Sequence, residues 1–599
     1  MKYEKLIAAV LAAGAPVLSG AFTVAKRGAP AECNVRIAAD AGETLRYAAG
    51  ELQKYTEKMT GVKPAVASAA DGRRIELVIA PGAGFGLDAF RIEEKNGVLT
   101  VTGGSESGLL YGVYELLEKY GGCKWYSSWC ERIPTREAFE IPDGIKVEEK
   151  PAFEMREPFW FDMRQHPDFS ARLRVNGGFL MSPLPRHGGA PFRFAKRLGP
   201  CHNFLSLCPP DKYFKDHPEY FSEVDGRRIS EQTQLCLTNP DVLRIVTSNY
   251  LARARADPEA TFFGVSQNDW YNFCTCAKCK ALDDAEGSHS GTVITFVNKI
   301  AEVMEKEFPN AIVETLAYQY SRKPPKTVRP RRNVMICLCS IECDFSLPIT
   351  RSPYAENTSF MEDIAGWGRI CDRLYVWDYA TDFRHFPMPF PNALSLQDNI
   401  KFFRDHKVKY LFEQGSFKGH HGDFAELKAW LTAKWMWNPE ADCETLLADF
   451  FEGYYGAAAP YARAYFDALH SIFREQREKP MGCFVSPLHP AYTDAFFDRG
   501  LLLWDHAVKA VEGADETTRY NVSMGRFPVL YAKMARMTDP DSPVMKKLRK
   551  AGGGRVKVPE EMKRLGREIF ALMDASRGIA LAEWTHEERV KEWKALIAE

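Results

Sequence analysis

The densest group of polar and aromatic residues in the sequence follows one short apolar segment. Phe262-Phe263-Gly264-Val265 is succeeded by Ser266-Gln267-Asn268-Asp269-Trp270-Tyr271. An acid can donate a proton, an adjacent amide can orient a substrate group, and aromatic rings can stack on the apolar faces of sugars. Asn268 and Asp269 would equally suit a helix cap or a tight turn. The motif therefore predicts either a carbohydrate site or a structural turn.

Similar residues follow other apolar segments of the chain. Together with the first motif they give Asn268, Asp269 and Glu342 as candidate catalytic residues, and Trp160, His202, Trp270, Tyr318, Trp377, Tyr379 and Glu413 as candidate substrate-binding residues. Carboxyl and aromatic side chains that converge on one rim are typical of a carbohydrate site. Two alternatives stay open, because buried acids are usually paired: Glu342 could bind an arginine, and Glu413 could be structural. Trp377 and Tyr379 alternate along one segment and so point the same way, either to the rim or to the core.

Three cysteines lie just beyond the first motif, at Cys274, Cys276 and Cys279, and His289 follows ten residues later. Such a group could hold zinc, form a local disulfide or remain as free thiols. A second cysteine pair, which a zinc ribbon needs, is absent nearby, and no His-Glu-x-x-His motif occurs. The sequence therefore predicts no cofactor, with zinc at these three cysteines as the less favoured alternative.

The apolar segments that precede these residues recur between residues 151 and 438. The eight predicted strands are Phe159–Phe161, Gly178–Met181, Asn203–Leu207, Phe262–Ser266, Ile312–Leu316, Val334–Leu338, Leu374–Trp377 and Lys409–Phe412. Helical patterns separate many of them, as between Gly291 and Phe308. Eight such units over about 280 residues predict a central (β/α)8 TIM barrel in an α/β protein, with its site at the carboxyl ends of the strands.

Two further regions flank the predicted barrel. Residues 30–148 show the strands and amphipathic helices of a small α/β accessory domain. Their glycine-rich turn at 103–108 lacks a nucleotide-binding fingerprint, and a cap by Ser105 or Ser107 explains it better. Residues 439–599 are predominantly helical in pattern, with amphipathic segments such as Leu446–Tyr455 and Phe496–Glu512, and are predicted to form a helical domain.

Composition and charge narrow the function classes. The 78 Lys and Arg residues nearly balance the 79 Asp and Glu residues, so no overall charge favours nucleic acid or an acidic membrane surface. Lys2 and Lys5 precede a short apolar run and then small residues, which predicts a signal peptide over 1–24 and a secreted, periplasmic or cell-surface protein. That run is too short for a membrane span. The sequence does not specify an oligomeric state.

Several segments within about residues 40–440 are similar to glycoside hydrolase family 163, a bacterial family long described as a domain of unknown function. The matching segments are Ala49–Tyr55, Gly108–Tyr114, His217–Phe221, Gln234–Pro240, Asn268–Cys279, Ile341–Asp344 and Trp377–Tyr379. The first two resemble the accessory domain of hexosaminidases and α-glucuronidases and are generic. The Asn-Asp-Cys block at 268–279 is far more specific.

This resemblance implies a retaining endo-β-N-acetylglucosaminidase that cleaves between the two core GlcNAc residues of an N-glycan or glycoprotein. Such enzymes are expected to use the 2-acetamido oxygen of the substrate as the nucleophile. Asn268 would then polarise the acetamide and Asp269 would donate the proton, with Glu342 as an alternative donor. Other possibilities are an exo-acting enzyme, similar to an α-glucuronidase or a β-N-acetylhexosaminidase, and a non-catalytic carbohydrate-binding barrel.

Overall fold

A computed structural model describes residues 20–69, 72–82, 84–181, 183–475, 479–550 and 558–598. The chain divides into two compact units. One comprises residues up to 124 with 131–150 and 184–189, and the other comprises 125–130, 151–183 and 190–599. Most of the predicted signal peptide, residues 1–19, lies outside the described residues. Residues 21–24 of that prediction belong to the first strand of the fold.

The first unit is a small α/β structure. The strands of the first 150 residues are β1 (Ala21–Lys26), β2 (Asn34–Arg36), β3 (Val66–Ala67), β4 (Arg74–Ile79), β5 (Phe90–Lys95), β6 (Val98–Gly103), β7 (Lys124–Ser127), β8 (Cys130–Arg132), β9 (Ala138–Pro142) and β10 (Lys146–Glu149), and the helices are α1 (Glu43–Thr60) and α2 (Glu106–Glu115). A mixed sheet runs in the order β10-β5-β6-β4-β2-β3, and β1 pairs with β9. Ser105 accepts the Gly108 N–H at 3.1 Å, which confirms the predicted helix cap.

The second unit is built on a curled parallel sheet in the order β11-β18-β17-β16-β15-β14. The strands of this unit are β11 (Met155–Phe159), β12 (Glu223–Val224), β13 (Arg227–Arg228), β14 (Phe262–Gly264), β15 (Ile312–Ala317), β16 (Val334–Cys339), β17 (Leu374–Tyr379) and β18 (Val408–Gln414), of which β12 and β13 form a separate hairpin. β16 is buried along its whole length, as is usual for a parallel strand covered on both faces. Six of the eight predicted barrel strands are therefore present, in a half-barrel.

The second predicted strand, Gly178–Met181, is irregular. Its four backbone N–H groups donate to the buried Glu157 carboxylate at 2.6 to 2.9 Å, so they cannot join a β ladder. The third, Asn203–Leu207, is a short helix instead. Its place beside β14 is taken by Phe194, which forms a single parallel bridge with Phe262. The regular eight-stranded barrel of the prediction is thus not what the described residues form.

Helices surround the sheet and dominate the carboxyl-terminal region. They are α3 (Phe161–Gln165), α4 (Pro167–Arg172), α5 (Phe204–Leu207), α6 (Pro210–Tyr213), α7 (Pro240–Arg255), α8 (Ala277–Glu286), α9 (Ser290–Glu307), α10 (Ala355–Ile370), α11 (Ala393–Asp405), α12 (Ala425–Trp437), α13 (Cys443–Tyr455), α14 (Ala459–Glu475), α15 (Asp494–Ala510), α16 (Glu516–Gly525), α17 (Phe527–Thr538), α18 (Pro543–Lys550), α19 (Glu560–Ala575) and α20 (His586–Ala598). The predicted helical character after residue 438 is confirmed. Among the described residues, no helix combines the length and apolarity that a bilayer crossing requires.

Candidate functional site

A cleft of about 590 Å³ opens at the carboxyl ends of the parallel strands. Its floor includes Leu316 of β15, Cys339 of β16, Trp377 of β17 and Gln414 of β18. Because parallel strands end at the same edge of a sheet, these side chains come together although they are far apart in sequence. The cleft lies entirely within the second unit.

One side of the cleft carries a chain of hydrogen-bonded polar groups. The Tyr318 hydroxyl donates to Asp269 Oδ1 at 2.9 Å and accepts from the Gln319 Nε2 amide at 3.0 Å. Burial, reinforced by the negative charge of Asp269, raises the pKa of Tyr318, so its hydroxyl keeps the proton that it donates. His202 also lines the cleft, and its Nδ1 lies 3.0 Å from the Gln267 carbonyl oxygen. A carbonyl only accepts, so Nδ1 carries the proton in this contact.

A second carboxyl group, Glu583, enters the cleft from the carboxyl-terminal region. Its backbone N–H donates to the Phe383 carbonyl at 2.9 Å, and its own carbonyl accepts from the Lys418 ammonium. Burial raises the pKa of Glu583 to about 7; Lys418 opposes this rise and Asp269 adds to it. The cleft therefore holds two carboxyl groups close enough to influence each other, one of which titrates near neutral pH.

Aromatic side chains form the rest of the wall. Trp377 and Tyr379 both line the cleft, stack with ring centroids 6.1 Å apart, and are fixed by a 2.8 Å bond from Trp377 Nε1 to Gln414. The prediction that they share a direction is confirmed. The remaining aromatic lining residues are Phe179, Phe383, Phe417, Phe484 and Trp584. Flat rings around two carboxyl groups provide what binding of a sugar requires.

Two of the three predicted catalytic residues have other partners. The Asn268 amide is buried behind the cleft: Oδ1 accepts the Leu205 N–H at 3.2 Å, and Nδ2 donates to Thr233 and Gln234. Glu342 forms an ion pair with Arg322 at 3.0 Å, the structural alternative that its sequence context left open. The geometry thus brings Asp269 to the cleft and assigns structural bonds to Asn268 and Glu342.

Three predicted substrate-binding residues are also placed elsewhere. Trp160 is buried and lies against His420, away from the cleft. Trp270 is 42% exposed on the outer surface. Glu413 is fully buried, because it points to the face of β18 opposite to its neighbour Gln414. His202, Tyr318, Trp377 and Tyr379 are the predicted binding residues that do line the cleft.

Glu583, Trp584 and Phe484 were missed by the sequence analysis. They lie in non-helical segments of a region whose pattern indicated only helices, far along the chain from the strand-end motifs. The Trp584 side chain is 66% exposed, an unusual position for so large an apolar group. An acid next to a tryptophan in a turn is the one local signal that could have identified them.

The cysteine motif lies outside the cleft. Cys274, Cys276 and Cys279 gather with Cys236, a residue that the sequence analysis had not grouped with them. His289 does not join the group, because its ring bonds Asp283 at 2.7 Å. Among the described residues, the four cysteines and the set Asp162, His166 and His420 are the clusters able to ligate a metal ion.

The fold has known counterparts. It is similar to BtGH115A, described as a family GH115 4-O-methyl-α-glucuronidase with specificity for decorated arabinogalactans, at a TM-score of 0.56 and 12% identity over 94% of this chain and 78% of that one. It is also similar to an N-acetyl-β-hexosaminidase of Streptomyces plicatus (TM-score 0.39, 12% identity, 77% and 96% covered) and to a chitobiase of Flavobacterium johnsoniae (0.44, 9%, 96% and 97%). Only the first score is high enough to show a shared fold.

No curated protein matched the chain significantly. Residues 125–467 match the family described as a domain of unknown function, DUF4838. The matched segment covers more than half of the 599 residues and includes the parallel sheet, Asp269, Tyr318 and the cysteine motif. The chain therefore belongs to the DUF4838 family.

Proposed function

We propose that this protein is a glycoside hydrolase that cleaves a glycosidic bond between Asp269 and Glu583. The observation that carries the proposal is the pair of carboxyl groups across an aromatic cleft, one of them with its pKa raised to about 7. The position of the cleft at the carboxyl ends of parallel strands supports it. So does the fold shared with BtGH115A, which is itself described as a glucuronidase.

Glu583 is the proposed proton donor. Bond cleavage requires an acid that protonates the leaving oxygen, and such an acid works best when its pKa lies near the working pH. Burial provides this for Glu583, and the charge of Asp269 adds to it. This role revises the sequence-based assignment, which gave proton donation to Asp269 or Glu342.

Asp269 is the proposed group that holds the substrate at the reacting carbon. The Tyr318 hydroxyl fixes one of its carboxylate oxygens, which leaves the other to accept a hydrogen bond from substrate. With an N-acetylglucosamine unit, that bond would come from the 2-acetamido N–H and would orient the acetamide oxygen toward the anomeric carbon. The reaction would then pass through an oxazolinium ion with net retention.

The specific activity we propose is therefore endo-β-N-acetylglucosaminidase, acting on the GlcNAc-GlcNAc core of N-glycans. The supporting observations are the resemblance of residues 268–279 to family 163 and the placement of Asp269 with Tyr318. An exo-acting α-glucuronidase is the second candidate. Lys418 favours it, since its ammonium lies near enough to Glu583 to lower the pKa of that carboxyl and could also pair with a uronate.

Two substrate sets separate these activities. Incubation with a complex N-glycoprotein, followed by mass analysis of the released glycans, should yield glycans that retain one reducing-end GlcNAc. In parallel, 4-nitrophenyl glycosides of GlcNAc and glucuronic acid test exo action. A thiazoline analogue of GlcNAc should inhibit if the acetamide is the nucleophile. Release of glucuronic acid alone would replace the endo assignment, and a lack of hydrolysis in every assay would contradict the enzyme.

A further inference from the structure

Four cysteine thiols meet in a buried cluster beside the segment that bears Asp269. Cys236 comes from the loop before α7, Cys274 and Cys276 follow Asp269 in the chain, and Cys279 is in the first turn of α8. Each is less than 9% exposed. The motif at 274–279 lacks a second cysteine pair in sequence, and the fold supplies the missing fourth thiol from 38 residues before it.

The sulfur positions match a tetrahedron around a metal ion. Cys236 Sγ lies 3.7 Å from Cys276 Sγ and 3.9 Å from Cys279 Sγ, and all four ligand atoms lie within 4.8 Å of one another. A zinc ion with Zn–S bonds of about 2.3 Å holds its sulfurs about 3.8 Å apart. A disulfide needs about 2.05 Å, and these contacts are far longer. The spacing therefore fits four thiolates that share one ion.

The groups around the sulfurs also suit thiolates. The Glu223 backbone N–H and Arg228 Nη1 lie 3.4 and 3.5 Å from Cys274 Sγ, and the Thr238 hydroxyl lies 3.1 Å from Cys279 Sγ. These are hydrogen-bond donors directed at sulfur, and one of them is cationic. Four thiolates with a divalent ion leave two net negative charges, which such donors stabilise. Arg228 also pairs with Glu223, at 3.3 Å, so its position is fixed.

We propose that Cys236, Cys274, Cys276 and Cys279 form a structural zinc site. All four tetrahedral positions are filled by protein thiols, which leaves none for water or substrate and so makes the site structural rather than catalytic. Tetrahedral sulfur ligation is typical of zinc or iron. We assign zinc because a single ion held by two separate loops, in the absence of inorganic sulfide, is the arrangement found in structural zinc sites.

The site stabilises the Asp269 segment. Gln234, two residues before Cys236, donates from Nε2 to the carbonyls of Asn268 and Trp270 at 2.8 and 2.6 Å, and accepts the Asn268 N–H at 2.9 Å. Asp269 thus lies between residues that are bonded to the loop bearing Cys236. An ion that binds both loops would hold Asp269 in register with Tyr318, although it never touches substrate.

The test is metal analysis of the purified full-length chain. Mass spectrometry of the metals should find one zinc ion per chain, released when the thiols are modified with a mercurial. Cys236→Ser and Cys276→Ser should each lower the zinc content to near zero. Cys443→Ser alters a half-buried cysteine outside the cluster and should leave zinc unchanged. Zinc content is independent of hydrolysis, so it tests the site even if the proposed function is wrong.

X-ray absorption at the zinc edge of the unaltered protein covers the case in which the serine variants fail to fold. Four sulfur neighbours at about 2.3 Å are expected. A mixed nitrogen and oxygen shell, iron in place of zinc, a chain without metal, or a disulfide between any two of the four cysteines on peptide mapping would each overturn the proposal.

Discussion

The acidic side chains near the ends of the parallel strands fall into two groups with opposite surroundings. Asp269 and Glu583 face the cleft, whereas Asp378 and Glu413, partners in the register of β17 and β18, lie on the opposite face of the sheet. Neighbours in sequence separate the groups: Gln414 lines the cleft and Glu413 does not. Successive side chains on a strand alternate between faces, so closeness to a strand end is not enough to place an acid in a site.

The two groups also differ in charge. Burial raises the pKa of Glu413 well above its usual range and that of Asp378 to about 6, although a hydrogen bond from Ser340 opposes the second rise. Neither Glu413 carboxyl oxygen has a hydrogen-bond partner among the described residues. A buried acid without a partner stays neutral. An elevated pKa by itself therefore does not identify a proton donor, and access to the cleft must accompany it.

The largest expected effect comes from removing the cleft acids. Glu583→Gln and Asp269→Asn should each lower kcat/KM by about 10²–10⁴, the usual loss for an acid that takes part in the reaction. Glu413→Gln is the matched control and should keep nearly normal activity, because its side chain faces away from the cleft. Rates are measured on the substrate identified above, with circular dichroism to check folding. An inactive Glu413→Gln variant with normal folding would break the distinction between the groups.

The aromatic wall should give a smaller effect. Trp377→Ala should raise KM about tenfold, equivalent to about 1.4 kcal/mol, because a stacking face for substrate is lost. Some stability should be lost too, since the ring packs on Tyr379 and Phe412. Trp270→Ala alters an exposed ring outside the cleft and should change KM little. Equal effects of the two substitutions would extend the binding surface beyond the cleft.

The pH dependence tests Glu583 as the donor. Its pKa is about 7, so kcat/KM should fall as pH rises through that value and the acid form is lost. Lys418 lowers that pKa, so Lys418→Met should move this limb of the profile to higher pH, by up to about one unit. Lys418→Arg keeps the charge and should leave the limb in place. A limb that moves to lower pH in Lys418→Met would rule out Glu583 as the titrating group.

The smallest effect on activity, and a distinct one on stability, is expected at Glu413. In the folded protein its pKa is raised above the ordinary 4.5, so the folded state retains a proton that the unfolded chain releases. The wild type therefore loses stability as pH rises above about 4.5, by at most about 1.4 kcal/mol per pH unit. Glu413→Gln cannot titrate and should gain stability relative to wild type between pH 5 and pH 8 in urea unfolding. A constant difference across that range would contradict a neutral Glu413.

Much of the parallel sheet could be predicted from the sequence. Segments such as Val334–Leu338 are continuous apolar runs bounded by polar residues, and both faces of such a strand are buried. The Gly178–Met181 segment has a similar pattern but is irregular, because the Glu157 carboxylate takes its four N–H groups. A Cβ at Gly178 would lie 1.7 Å from the Phe192 carbonyl oxygen, a crowding that depends on chain folding alone. Local periodicity contains no information about such long-range partners.

The sequence by itself determined which residue types were available: an acid after β14, aromatic side chains at strand ends and three closely spaced cysteines. Alternation along β17 also placed Trp377 and Tyr379 on one face, since that depends only on a period of two. Tertiary structure alone decided that Asn268 is structural, that Glu583 joins Asp269 and that Cys236 completes the thiol cluster. Each of these depends on contacts between segments distant in sequence, and only burial within the folded chain sets the protonation of its acids.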